Sequence, residues 1–189
     1  MMRFWKNVLS QLHSFVLWVL LSAVFWGWIF TAFVDDAPAG KKVVIYVDAP
    51  VRMERELDAR LEEDLPEGIR MIRVHPFSYA AFDESALLQA DLYIVPASHA
   101  EEFAPSFVSW PEGDAEPTEG LRGMTVYDAA AGEGAAAEYI LYEIPGQTPE
   151  NYYLFVSADT LHAASLTGKG DDAALQTARR FTELEDTQQ

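Results

Sequence analysis

Between Lys6 and Asp35 the chain contains no Asp, Glu, Lys or Arg. The densest part runs from Phe15 to Val34, FVLWVLLSAVFWGWIFTAFV. It is about 20 residues long, so as a helix it spans roughly 30 Å, the hydrocarbon thickness of a bilayer. A helix buried in a soluble core seldom runs so far without a polar face. Trp5 and Trp28 fall where the two membrane interfaces would lie. The sequence therefore predicts an anchor over residues 1–34 that meets membrane lipid through residues 15–34.

A cleaved signal is the alternative. Arg3 and Lys6 form a basic start, and Ala37-Pro38-Ala39 has the small-x-small form of a cleavage site. Signal h-regions are typically about 7–15 residues, shorter than this stretch, so the uncleaved anchor is the expectation. Arg3 and Lys6 precede the span while Lys41 and Lys42 follow it. The bias toward a cytoplasmic N-terminus is modest. The acidic domain that follows is expected outside the membrane.

Charge and composition remove several classes of function. Lys and Arg total 13 against 30 Asp and Glu, a formal net charge of -17. Nucleic-acid binding needs a basic footprint, which this balance does not supply. With no cysteine, disulfides, thiolate zinc sites, iron–sulfur clusters and Cys nucleophiles are excluded. Half the residues are hydrophobic, enough to build a core after the anchor.

Residues 35–40 read as a linker. From Lys41 to Val95 the pattern is strand, helix, strand, helix, strand. Lys41 to Asp48 is a β-branched apolar run. Met53 to Leu65 places Met53, Leu57, Leu61 and Leu65 at four-residue spacing. Ile69 to Val74 is a second strand, Asp83 to Gln89 a short helix and Asp91 to Pro96 a third strand. Crossovers of this length predict a parallel sheet covered by helices. Ala104 to Arg122 reads as a loop, and Ala129 to Ala137 as a loop or weak helix. Strands are expected at Met124–Tyr127, Tyr139–Ile144 and Tyr152–Ser157. Asp171 to Leu184 reads as a helix with an Asp N-cap, and 185–189 as a polar tail. The fold class expected is α/β: a transmembrane helix, then a small three-layer domain over 41–184 with a mainly parallel sheet.

The segments VVIYVDAPVRMERELDARLEEDLPEGIRMIRV and QADLYIVPAS resemble the first lobe of type II periplasmic solute-binding proteins. The segment YYLFVSADTLHAASLTGKGDDAALQTARRFTEL resembles the stretch where such chains return to that lobe. Together these blocks cover roughly 100 residues. A complete second lobe has no room between them. The resemblance implies a one-lobed, membrane-tethered relative and carries over no ligand residues.

In open α/β sheets ligands bind beyond the carboxyl ends of the strands. Asp48 follows the first strand, His75 with Ser78 and Tyr79 the second, and Ser98 and His99 the third. Asp48, His75, Ser98 and His99 are therefore the candidate ligand residues, or else strand-end residues that simply face water. Imidazoles with a carboxylate would also suit a zinc-like ion, but no metal or other cofactor is expected. A Ser98–His99–Asp48 triad is a weak reading, since adjacent Ser and His rarely meet and no G-x-S-x-G elbow is present. Gly132-Glu133-Gly134 lacks the following Gly-Lys-Ser/Thr of a phosphate loop. The acidic runs at Glu62-Glu63-Asp64 and Glu112 to Glu116 lack calcium-loop spacing. Phe103, Phe107 and Trp110 either form a partner-binding patch or cover the core.

The sequence thus supports a non-catalytic, single-pass extracytoplasmic module that recognises a small ligand or a membrane-protein partner. The alternatives are a structural subunit of a membrane assembly and an enzyme of unknown class. The latter would require Asp48, His75 and His99 to converge.

Overall fold

The structure, a computed structural model, describes residues 2–33, 37–77, 90–110, 116–117 and 122–184, with the first helix's side chains described at 12 and 14–30. The helix expected at Asp83–Gln89, the tail at 185–189, and Ser78, Tyr79 and Trp5's side chain lie outside these residues.

The chain divides into two units, Met1–Pro38 and Ala39–Gln189. The first holds α1 (Met2–Phe33), a helix of 32 residues. Leu17, Trp18, Val19 and Leu20 are all at least half exposed. Successive residues on a helix point about 100° apart, so these four side chains reach every side of it. Among the described residues no helix is long and apolar enough to cross a membrane.

The second unit is a mixed α/β domain. Its strands are β1 (Lys42–Val47), β2 (Met71–Pro76), β3 (Leu92–Pro96), β4 (Phe107–Val108), β5 (Glu116–Pro117), β6 (Arg122–Asp128), β7 (Glu133–Gly134) and β8 (Tyr152–Ser157). Its helices are α2 (Glu54–Glu62), α3 (Ala97–Phe103), α4 (Ala164–Thr167) and α5 (Ala173–Thr182). The strand order is β2-β1-β3-β8-β6-β5, with β4 beside β8 and β7 beside β6.

The expectation of a mainly parallel sheet is corrected. β1 runs parallel to β2 and β3, but β8 is antiparallel to β3, and β6 antiparallel to β8. Side-chain alternation explains why the central strands read as unbroken apolar runs. Val43, Ile45 and Val47 of β1, Leu92 and Ile94 of β3, and Leu154 and Val156 of β8 join Leu57 and Leu61 of α2 and Phe181 of α5 in one core. The intervening Val44, Tyr93, Val95 and Phe155 pack with Ala100 and Phe103 of α3 in a second. Strands buried on both faces lose the polar half of the alternation.

Three further expectations change. Tyr139–Ile144 is not a strand. Ile140 forms only a single bridge to Val51, and the amides of Ile140 and Leu141 donate to the carbonyls of Ala136 and Pro50. The stretch expected as a loop over Ala104–Arg122 contributes the short β4 and β5. The Asp172 side chain does not cap α5. It accepts from the amide and hydroxyl of Ser165 at 2.7 and 2.5 Å.

Candidate functional site

The carboxyl ends of β1 and β3 meet the amino end of β8, because an antiparallel strand enters where its parallel neighbours leave. Pro96 stands opposite Tyr152 in that register. Backbone bonds fix these ends. The Asp48 amide donates to Ile94 O, the Phe77 amide to Val47 O and the Ala97 amide to Asn151 O. Beyond them lies an open crevice of about 910 Å³, within the size of small-molecule sites.

Asp48 and His99 both line it. His99 Nδ1–H donates to Asp48 Oδ2 at 2.5 Å, with Asp48 the more buried of the pair. This bond holds the imidazole in one orientation. Ser98 sits beside them on the first turn of α3, but its hydroxyl and amide both donate to Glu150, at 3.1 and 2.9 Å. Ser98 is therefore directed to a carboxylate rather than to His99. His75 is not brought in. It is exposed and its Nδ1 lies 4.0 Å from Glu54 of α2, while its ring stands against Tyr46. So Asp48 and His99 come together, Ser98 joins through Glu150, and His75 stays apart.

The other walls come from residues that strand-end reasoning passes over: Phe77, Ile144, Gln147, Thr148, Glu150 and Tyr152. Gln147, Thr148, Glu150 and Tyr152 come from the segment after Pro145-Gly146, which leads into β8. Its role is visible only once β8 is known to run antiparallel. Tyr152 is 3% exposed. Burial and the Glu150 and Asp48 carboxylates push its phenol up to about 12, so it is a neutral hydroxyl at physiological pH. Phe77 meets Tyr46, Tyr93 and Phe103 at centroid distances near 6 Å, which fixes the ring on that side of the crevice.

Phe103, Phe107 and Trp110 form no exposed patch. All three are buried. Phe107 stacks on Phe155 at 4.9 Å, and the Trp110 indole donates to Leu154 O at 3.0 Å. They cover the core. Among the described residues no group of three or more His, Asp or Glu could hold a metal ion.

Compared with known proteins, the chain matches no family model, no curated protein and no solved structure.

Proposed function

We propose that the chain is a single-pass, membrane-anchored binding module that displays its α/β domain outside the membrane and takes a small ligand in the Asp48–His99 crevice. The observation that carries this reading is the crevice itself. The carboxyl ends of β1 and β3 and the amino end of β8 meet at it, an oriented carboxylate–imidazole pair stands in it, and aromatic, proline and isoleucine side chains supply apolar walls. Sites for small molecules combine a few placed polar groups with such walls. The anchor is supported by the charge-free stretch at 15–34 and by apolar side chains exposed around α1. The resemblance to one lobe of a solute-binding protein motivates the extracytoplasmic placement.

The test is thermal unfolding of the full chain in detergent, with panels of amino acids, amines, sugars and short peptides. A ligand at a hundred times its Kd adds ~2.7 kcal/mol, which for a domain of this size raises Tm by roughly 5–10 °C. The expected result is a shift from a restricted chemical class that Asp48→Asn and His99→Gln abolish. No shift from any class, or a shift that survives both substitutions, overturns the reading.

A further inference from the structure

We propose that the crevice is built for a small organic cation, an amine or amidinium on an apolar body. This rests on reading the crevice as a ligand site and adds the chemical class. Among the described lining residues the ionisable side chains are Asp48, Glu150, His99 and Tyr152, and none is Lys or Arg. An anionic ligand would face two carboxylates with no guanidinium or ammonium to balance them. Like charges brought together out of bulk water are strongly disfavoured.

Two groups are positioned to receive a cation. Glu150 accepts two bonds, both from Ser98. A carboxylate has about four acceptor positions, so it retains capacity for a charged N–H donor. Tyr152 lines the crevice as a neutral phenol. Its oxygen can accept a ligand N–H. Burial is the first cause of the raised Tyr152 pKa, and the nearby Glu150 and Asp48 carboxylates add to it. The rings of Phe77 and Tyr152 suit an apolar body and add cation–π attraction where a charge lies over a face. A metal ion fits less well, because the described residues offer no cluster of three ligands. The net charge of -17 raises the local concentration of any cation, so the test must separate site binding from diffuse attraction.

The experiment is calorimetric titration of the full chain in non-ionic detergent with phenethylamine, benzamidine, phenethyl alcohol, phenylacetate and zinc chloride. The two cations are expected to bind, phenethyl alcohol to bind about tenfold or more weakly, matching loss of a charge-assisted hydrogen bond, and phenylacetate not at all. Glu150→Gln should weaken the amine about tenfold, and Tyr152→Phe should weaken it severalfold, each with Tm measured alongside. Thr148→Arg, at an exposed wall position, should abolish amine binding and admit phenylacetate without loss of fold. Equal binding of alcohol and amine, tighter binding of zinc or phenylacetate, or amine binding indifferent to all three substitutions overturns the cation assignment. In the first two cases the binding-module reading stands. If no probe binds, the assignment falls, and the broader ligand panel decides the module.

Discussion

At the scale of single residues, His162 is the most constrained side chain outside the crevice. It is 2% exposed. Its Nδ1 stands 2.8 Å from Asp171 Oδ1 and its Nε2 3.0 Å from the Ala39 carbonyl. Both partners accept, so both bonds form only when the ring is protonated. Burial opposes that charge, but the Ala39 carbonyl, Asp171 and Asp91 outweigh it and raise the His162 pKa above its ordinary 6.5. A raised pKa gives stability that is fully present below pH 6.5 and is lost as pH climbs through the folded value. Tm should fall over that upper window, and His162→Gln should flatten the fall. An unchanged slope in the variant would mean that other groups set it. Asp91 contributes in a lower window. Burial raises its pKa against the bonds it accepts from Thr160 and Val44. The fold then binds its proton more tightly than the unfolded chain, so this group costs stability as pH rises above 3.8. Thr177 is simpler. Its hydroxyl is buried with no partner among the described residues, so Thr177→Val should add about 1 kcal/mol and raise Tm by roughly 2–4 °C.

At the scale of elements, the loop from Leu161 to Asp172 holds His162 in place, and Gly170 decides whether it closes. Its φ is +71°, and a Cβ there would stand 1.6 Å from the Leu161 carbonyl oxygen. That oxygen belongs to backbone and cannot swing aside. Gly170→Ala should cost roughly 2–4 kcal/mol and lower Tm by roughly 5–15 °C. A Tm unchanged in that variant would contradict the geometry.

The same scale shows what the sequence could and could not reveal. β1, α2, β2, β3, β8 and α5 are each announced by local pattern, since Val43, Leu57, Leu61 and Phe181 sit at the spacing their elements require. Strand direction has no local signature, so β8's antiparallel entry was not legible. Glu150 and Tyr152 became site residues only through it. Tyr139–Ile144 misled for a related reason. Ile140 and Tyr142 are indeed buried alternately, but alternation reports which side chains face the core, and the backbone here pairs with turns instead. α3 was missed because seven residues without a side-chain cap carry little propensity. Its first turn is held by Glu150, 52 positions away in sequence.

At the scale of the whole molecule, the chain consists of an apolar N-terminal helix and an α/β domain with an open crevice. If α1 is an anchor, the full chain should stay in the membrane pellet after alkaline carbonate washing, and protease added outside intact cells should digest the domain. Release into the wash would remove the anchor and leave the crevice to be judged alone. The Asp48–His99 pair was legible as two strand ends. His75, chosen on the same rule, stands outside: its ring lies beside Tyr46 with Nδ1 4.0 Å from Glu54, while the next residue of β2, Pro76, lines the crevice, as alternation along a strand requires.

The central claim is that ligand occupies the crevice at the ends of β1, β3 and β8. Hydrogen exchange of the full chain, with and without saturating phenethylamine, tests it most directly. The account predicts added protection confined to residues 48–50, 76–77, 96–99 and 144–152, lost in Thr148→Arg. Protection centred elsewhere, or unaffected by that substitution, would contradict it.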